Sequence, residues 1–140
     1  MNDYEADSIP ILKHIDLLQS VISRMASNSA LAKTWCITIV SAVLVFTTNP
    51  TAVHSSWIAM FPILTFWSID AYYLSFENSA RDRHNEFLRK LGNREIVLAD
   101  LYVIKVNWED NLRKSFFSFS TFGFYACASI LVVAASLVRK

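Results

Sequence analysis

Apolar and polar positions alternate with a helical period over residues 8–30, the first clear pattern in the chain. The apolar side chains recur every three or four residues and form one stripe: Ile11, Ile15, Leu18, Ile22 and Met25. The pattern predicts an amphipathic helix that begins at Asp7 or Ser8, with Pro10 in its first turn. Three interpretations of the stripe stay open: packing on the rest of the chain, self-association, or contact with a membrane surface.

Residues 34–69 contain no lysine, arginine, aspartate or glutamate. A membrane helix needs roughly 20 apolar residues, so these 36 residues are too many for one span and suit two. Asn49 and Pro50 predict a turn within the run. We therefore expect one span at 33–48 and a second at 55–76, which Pro62 would kink without breaking.

The polar segment that follows, residues 77–114, begins with a predicted helix. Two pairs of opposite charge stand at the four-residue spacing that supports one, Glu77 with Arg81 and Glu86 with Lys90. Gly92 and Asn93 form a predicted C-cap.

Residues 95–112 fit both a helix and an alternating strand, and we favour the helix because a lone strand would have no partner. Residues 115–138 are uncharged and predict a third span.

The connection at 47–54 holds no basic residue, whereas 77–114 holds eight. Because cytoplasmic loops are enriched in lysine and arginine, we expect 77–114 to be a basic cytoplasmic segment. The sequence thus predicts an all-α integral membrane protein with three transmembrane helices, N-in and C-out, in which residues 1–32 form a cytoplasmic amphipathic helix.

Composition agrees with a membrane protein. The chain is 54% hydrophobic and 18% charged, whereas soluble domains are usually about 45–50% apolar and roughly 25% charged. The net charge of +1 indicates no particular partner. Cys36 and Cys127 both fall in apolar runs, which favours packing over a disulfide or a metal site. The three histidines have no ligand-spaced partner and no catalytic motif is present, so we expect no metal, no cofactor and no enzymatic activity.

Asp70 is the candidate site that the pattern singles out, because it is an acid within the second predicted span. An acid at that depth is a candidate functional residue with a partner to be identified. The sequence offers Lys33, or Arg24 and Asn28, as that partner. Asp70 then either ties two helices together or lines a pore that handles protons or ions. Two further candidates lie towards the same end of the span, namely Tyr73 and Glu77.

Hydroxyl side chains form stripes on the first and third predicted spans, at Thr34, Thr38, Ser41, Ser118, Thr121, Tyr125 and Ser129. Such groups hydrogen-bond across helices, line a wet path, or bond back to their own helix carbonyls. A basic face is predicted on the cytoplasmic segment, at Arg81, Arg83, Arg89, Lys90 and Arg94. It suits anionic lipid headgroups, a nucleotide-like anionic ligand or a cytoplasmic partner protein.

Three stretches resemble a set of small bacterial multi-pass membrane proteins: RMASNSALAKTW (24–35), PILTFWSIDAYYLSFE (62–77) and RKSFFSFSTFGFY (113–125). The resemblance gives as signature positions Arg24, Asn28, Ser29, Lys33, Trp35, Asp70, Tyr72, Tyr73 and Glu77. It implies an inner-membrane protein from an antiviral defence or stress locus. On that basis we expect a homo-oligomeric effector or ion channel that perturbs membrane permeability. The alternative is a non-enzymatic adaptor or structural subunit that docks a cytoplasmic partner.

Overall fold

The computed structural model describes residues 8–46, 58–96, 100–101 and 107–137, and within these ranges the chain is all-helical. Four helices follow one another: α1 (Ile9–Phe46), α2 (Met60–Gly92), α3 (Glu109–Phe116) and α4 (Phe119–Leu137). No strand occurs in the described ranges, which confirms the predicted all-α class. The predicted turn near 47–54 lies outside them, as do residues 97–99 and 102–106 of the segment 95–112, whose last four residues belong to α3.

Helix α1 joins two elements that the sequence predicted separately, the amphipathic helix and the span at 33–48. Neither glycine nor proline follows Pro10 within α1, so nothing interrupts the helix. Its 38 residues correspond to about 57 Å, nearly twice the roughly 30 Å of a hydrocarbon core.

Helix α2 likewise continues from the second predicted span into the polar segment, as a single helix of 33 residues. The predicted kink at Pro62 is not needed, because the helix begins at Met60 and Pro62 stands in the first turn. A proline there removes no intrahelical hydrogen bond, since the first amides of a helix lack partners.

Helices α1 and α2 pack side by side and antiparallel, with one apolar cluster at each end of their contact. The cluster at the apolar end contains Cys36, Val40, Ala59, Ile63, Tyr125 and Val132, so α4 also contributes to it. The other cluster contains Ile11, Phe87, Ile96 and Leu101, with Ile15 and Leu91 packed against it. The predicted stripe on α1 therefore faces α2, and of its three interpretations packing within the chain is the one observed.

The end of α2 follows the predicted C-cap at Gly92 and Asn93. The amide of Arg94 donates to the Leu91 carbonyl at 3.1 Å, and that of Glu95 donates to the Lys90 carbonyl at 2.9 Å. These two bonds form a Schellman motif, whose left-handed residue is usually glycine. Here it is Arg94, with φ 59°.

The predicted third span at 115–138 is shorter in the structure, because α3 and α4 are separated at Phe117 and Ser118. The Ser115 carbonyl accepts from the Ser118 amide at 3.3 Å and also from the Thr121 hydroxyl. The amide of Phe122 donates to the Ser118 carbonyl at 2.8 Å and starts α4.

By length and composition, two helices in the described part of the chain suit a membrane crossing, α1 and α4. Both expose many large apolar side chains. Helix α2 does not meet the same criterion, although its first half is apolar on the outside. The described helices therefore support membrane association in general. They give two candidate spans, α1 and α4, whereas the sequence predicted three.

Candidate functional site

Asp70 lies at the contact between α1 and α2, fully buried between the two apolar clusters. Its Oδ2 atom is 2.6 Å from the Lys33 Nζ atom. Its Oδ1 atom accepts a hydrogen bond of 2.5 Å from the Ser29 hydroxyl. Lys33 also donates to the Ser29 Oγ atom at 3.1 Å, so the three side chains form a closed triangle. The site is a charge-assisted network held by two adjacent turns of α1 and one residue of α2.

The Ser29 hydroxyl gives the Oδ1 atom of Asp70 a hydrogen bond, and the Oδ2 atom has the Lys33 ammonium beside it but no hydrogen bond among the described residues. A buried carboxylate without a partner is costly, because burial removes its hydration and nothing replaces it. Here Lys33 supplies the opposite charge, and its side chain keeps 20% exposure. Ser29 stands four residues before Lys33, so both project from the same face of α1. The geometry gives Asp70 a partner within its own chain, as the interhelical-tie interpretation requires.

Helix α4 is attached one turn away from Asp70 on α2. The Tyr125 hydroxyl donates to the Phe66 carbonyl at 3.1 Å. The next residue of α2, Trp67, donates from Nε1 to the Phe116 carbonyl at 3.2 Å, and its ring stacks on Tyr125 at 6.4 Å. Residues Phe66 to Asp70 therefore contact both other long helices, and α2 is the central helix of the three.

The remaining candidates for the Asp70 site lie elsewhere. Arg24 is exposed and Asn28 is half-buried, and neither has a described hydrogen bond or ion pair with Asp70. Tyr73 is half-buried. Glu77 is buried beside Arg81, with Oε1 2.8 Å from the guanidinium, as the predicted helical pair requires. Of the partners that the sequence offered for Asp70, Lys33 is the one that pairs with it in the described residues.

Three residues of the predicted hydroxyl stripes bond back to their own helices. Thr34 donates to the Ala30 carbonyl, and Thr38 donates to the Thr34 carbonyl at 2.9 Å. Ser129 does the same with the Tyr125 carbonyl at 2.8 Å. Such bonds need no partner helix and no water. Ser41 is exposed and Ser118 half-buried, while Thr121 and Tyr125 have the structural contacts described above.

The predicted basic face is largely paired with acids. Arg83 is 2.9 Å from Glu86, and Lys90 is 3.7 Å from the same carboxylate and 3.0 Å from Asp100. The Arg83 hydrogen bond lowers the pKa of Glu86, and the hydrogen bond to Asp100 raises the pKa of Lys90. Arg89 and Arg94 are exposed.

A cavity of about 100 Å³ lies at this end of the α1–α2 contact. Its lining comprises Leu18, Phe87, His14, Arg83, Glu86, Lys90 and Asp100. Since each cation of the lining already pairs with a carboxylate, the cavity offers an incoming anion no uncompensated positive charge. The fit to a nucleotide-like ligand is therefore poor.

Ser29 is the residue of this site that the sequence pattern does not single out. Only the resemblance gives it as a signature position, because a serine in a helix has no period or charge to distinguish it. Its spacing of one turn before Lys33 was the available signal, since it places a hydroxyl beside the ammonium.

In the described residues, no three histidine, cysteine or carboxylate side chains stand close enough to bind a metal ion. Comparisons with protein-family models, curated proteins and solved structures find no match.

Proposed function

We propose that this chain is a multi-pass inner-membrane protein with three spans, oriented N-in and C-out. Its spans are the second half of α1, the first half of α2 and all of α4. Support for the middle span comes from the large apolar side chains that α2 exposes before Asp70, namely Phe61, Leu64 and Ile69. In water, each square ångström of this apolar surface that stays unburied would lose about 25 cal/mol of hydrophobic stabilisation, whereas in a bilayer the acyl chains cover the same surface.

The lengths of α1 and α2 support a helical hairpin that extends into the cytoplasm. Helix α1 is about 57 Å long and α2 about 50 Å, so roughly 27 Å of α1 and roughly 20 Å of α2 lie outside a 30 Å core. This outer part holds the apolar cluster of Ile11 and Phe87 and the paired charges around Glu86. Rigid helices would carry a movement at the cytoplasmic end directly to Lys33 and Asp70.

We further propose that the protein is an oligomeric effector that changes membrane permeability in response to a cytoplasmic cue. The observation that supports this most is the Lys33–Asp70 ion pair. Separating two buried charges is costly, so the pair holds α1 and α2 in one arrangement. A cue that shifts one helix would break the pair and expose two charges at membrane depth, where they attract water.

The test is controlled expression in bacteria with a dye that reports the membrane potential. We expect the wild-type chain to depolarise cells and Asp70→Asn to change the extent or onset of depolarisation while the protein stays inserted. Asp16→Asn, which removes an exposed acid on α1, is the matched control and should behave as wild type. Unchanged membrane potential in cells that contain well-inserted wild-type protein would refute the effector function.

A second candidate function is a membrane adaptor that docks a cytoplasmic protein. It is favoured by the closed triangle at Asp70 and by the threonines that bond back to their own helix, since these contacts occupy polar groups that would otherwise line a pore. Purification in mild detergent separates the two functions. A homo-oligomer with a water-accessible axis supports the effector, and a monomer that recovers one stoichiometric partner supports the adaptor.

A further inference from the structure

The turn between α3 and α4 presents aromatic side chains at the surface. Phe117 is 68% exposed and Phe119 is 95% exposed, and Phe122 is also exposed beside Phe117, with ring centroids 6.3 Å apart. Trp67 holds the turn in place from beneath, because its indole donates to the Phe116 carbonyl and its ring meets Phe122 at 6.1 Å. Phenylalanine side chains that a neighbouring helix fixes in an exposed position are unfavourable in water and suit the apolar side of a membrane interface.

Two basic residues stand immediately before these aromatics. Arg113 and Lys114 form the last turn of α3, both are exposed, and neither has an ion pair in the described part of the chain. They differ in this from Arg81, Arg83 and Lys90, which are paired with carboxylates. Arg113 and Lys114 are therefore available to an anion from outside the chain.

Charge and apolarity change in order along this part of the chain. Glu109 and Asp110 occupy the first turn of α3, the two basic residues occupy its last turn, and the apolar helix α4 begins at Phe119. A bilayer leaflet changes in the same order, from water to phosphate headgroups to acyl chains. The helix dipole accounts for an acid-to-base gradient in α3, but it does not account for the exposed phenylalanines that follow.

We propose that the α3–α4 corner, defined as residues 113–122, binds an anionic phospholipid. Arg113 and Lys114 contact the headgroup phosphate, and Phe117, Phe119 and Phe122 contact the upper part of the acyl chains. The inference rests on the proposed membrane location, in which this corner faces the cytoplasmic leaflet. That leaflet carries the anionic lipids that attract basic residues next to a span. The bound lipid would fix the depth of α4 and of Trp67, and through Trp67 the position of α2.

The experiment uses the full chain, delipidated in neutral detergent and titrated with short-chain phosphatidylglycerol or phosphatidylcholine. Tryptophan fluorescence reports binding, because Trp67 and Trp108 flank the corner. We expect phosphatidylglycerol to bind at least tenfold more tightly than phosphatidylcholine. Arg113→Gln/Lys114→Gln should lose about 25-fold in affinity for phosphatidylglycerol, about fivefold for each residue, which corresponds to about 1 kcal/mol each.

The control Lys13→Gln/Arg24→Gln removes the same charge from exposed positions on α1 and should keep wild-type affinity. Phe119→Ser should weaken both lipids equally. Inorganic phosphate should not displace the lipid, which separates a lipid site from a simple phosphate site. Equal affinity for the two lipids, or equal losses in the two double variants, would overturn the proposal.

Carbonate extraction of membranes tests insertion separately: release of the chain refutes the membrane location, whereas retention without lipid preference refutes only the lipid site.

Discussion

Removing one charge of the Lys33–Asp70 pair should destabilise the protein strongly, and removing both should cost much less than the sum. At 2.6 Å and an effective dielectric constant of about 20, the two charges attract each other by about 6 kcal/mol before desolvation is subtracted. Desolvation cancels part of that attraction, since Asp70 is fully buried, while Lys33 keeps 20% exposure and some hydration. Asp70→Asn leaves the ammonium of Lys33 without its counter-ion in a largely apolar contact. We expect a cost of about 3 kcal/mol for either Asp70→Asn or Lys33→Met.

The assay is reversible unfolding in mixed micelles, followed by far-ultraviolet circular dichroism, on the wild type, both single variants and the double variant. We expect the double variant to be more stable than the sum of the single costs predicts, by about 2 kcal/mol or more. Asp16→Asn is again the matched control and should stay within about 0.5 kcal/mol of wild type. If Asp70→Asn costs no more than Asp16→Asn, or if the single costs add, the pair does not hold α1 against α2.

Three further predictions use the same unfolding assay. Arg94→Gly should stabilise the chain by up to about 1 kcal/mol, because glycine adopts the left-handed conformation of the C-cap without strain, and a loss of stability would contradict the assignment of the Schellman motif. Tyr125→Phe should cost about 1 kcal/mol through the lost bond to the Phe66 carbonyl, and an unchanged free energy of unfolding would show that this bond does not attach α4. Burial lowers the pKa of His14 below its ordinary value of 6.5, a shift that Asp100 opposes and His84 reinforces. The neutral ring is therefore favoured by folding, and its contribution is complete above pH 6.5 and declines as the pH falls through that value towards the lower folded pKa. His14→Gln should reduce the loss of stability between pH 7 and pH 5, and an identical loss in both proteins would refute a role for His14.

The helical period and the distribution of charge predicted the helices of the fold. The helix boundaries in the structure differ from the predicted ones where no residue type marks the end of a helix. The α1 stripe from Ile11 onwards identified the face that meets α2 because burial follows the helical period. The sequence pattern did not show that this helix continues into the first predicted span. A change from amphipathic to uniformly apolar sequence resembles the end of a helix, although no residue there breaks it. The separation of α3 from α4 had no glycine or proline to mark it, and it depends on the Thr121 hydroxyl, which bonds carbonyls on the preceding turn.

For the site, the isolated charge of Asp70 predicted a partner on the preceding helix, with Lys33 as one alternative and Arg24 with Asn28 as the other. Arg24 was an equally charged alternative, but in one continuous helix it stands nine residues before Lys33, about 13.5 Å away along the axis and half a turn around it. The hydroxyl stripes were ambiguous for a physical reason. A threonine that bonds back to its own helix and one that faces a pore occupy the same sequence positions, and the structure resolves the first for Thr34 and Thr38.

The central claim is that the first half of α2 crosses the membrane and carries Asp70 within it. Labelling of intact cells with a membrane-impermeant maleimide tests this directly, in a Cys36→Ala/Cys127→Ala background with either Asn85→Cys or Lys140→Cys. With three spans, position 85 is cytoplasmic and position 140 is external, so Lys140→Cys is labelled in intact cells and Asn85→Cys only after permeabilisation. If α1 and α4 alone cross the membrane, the pattern reverses, and labelling of Asn85→Cys in intact cells would contradict the account.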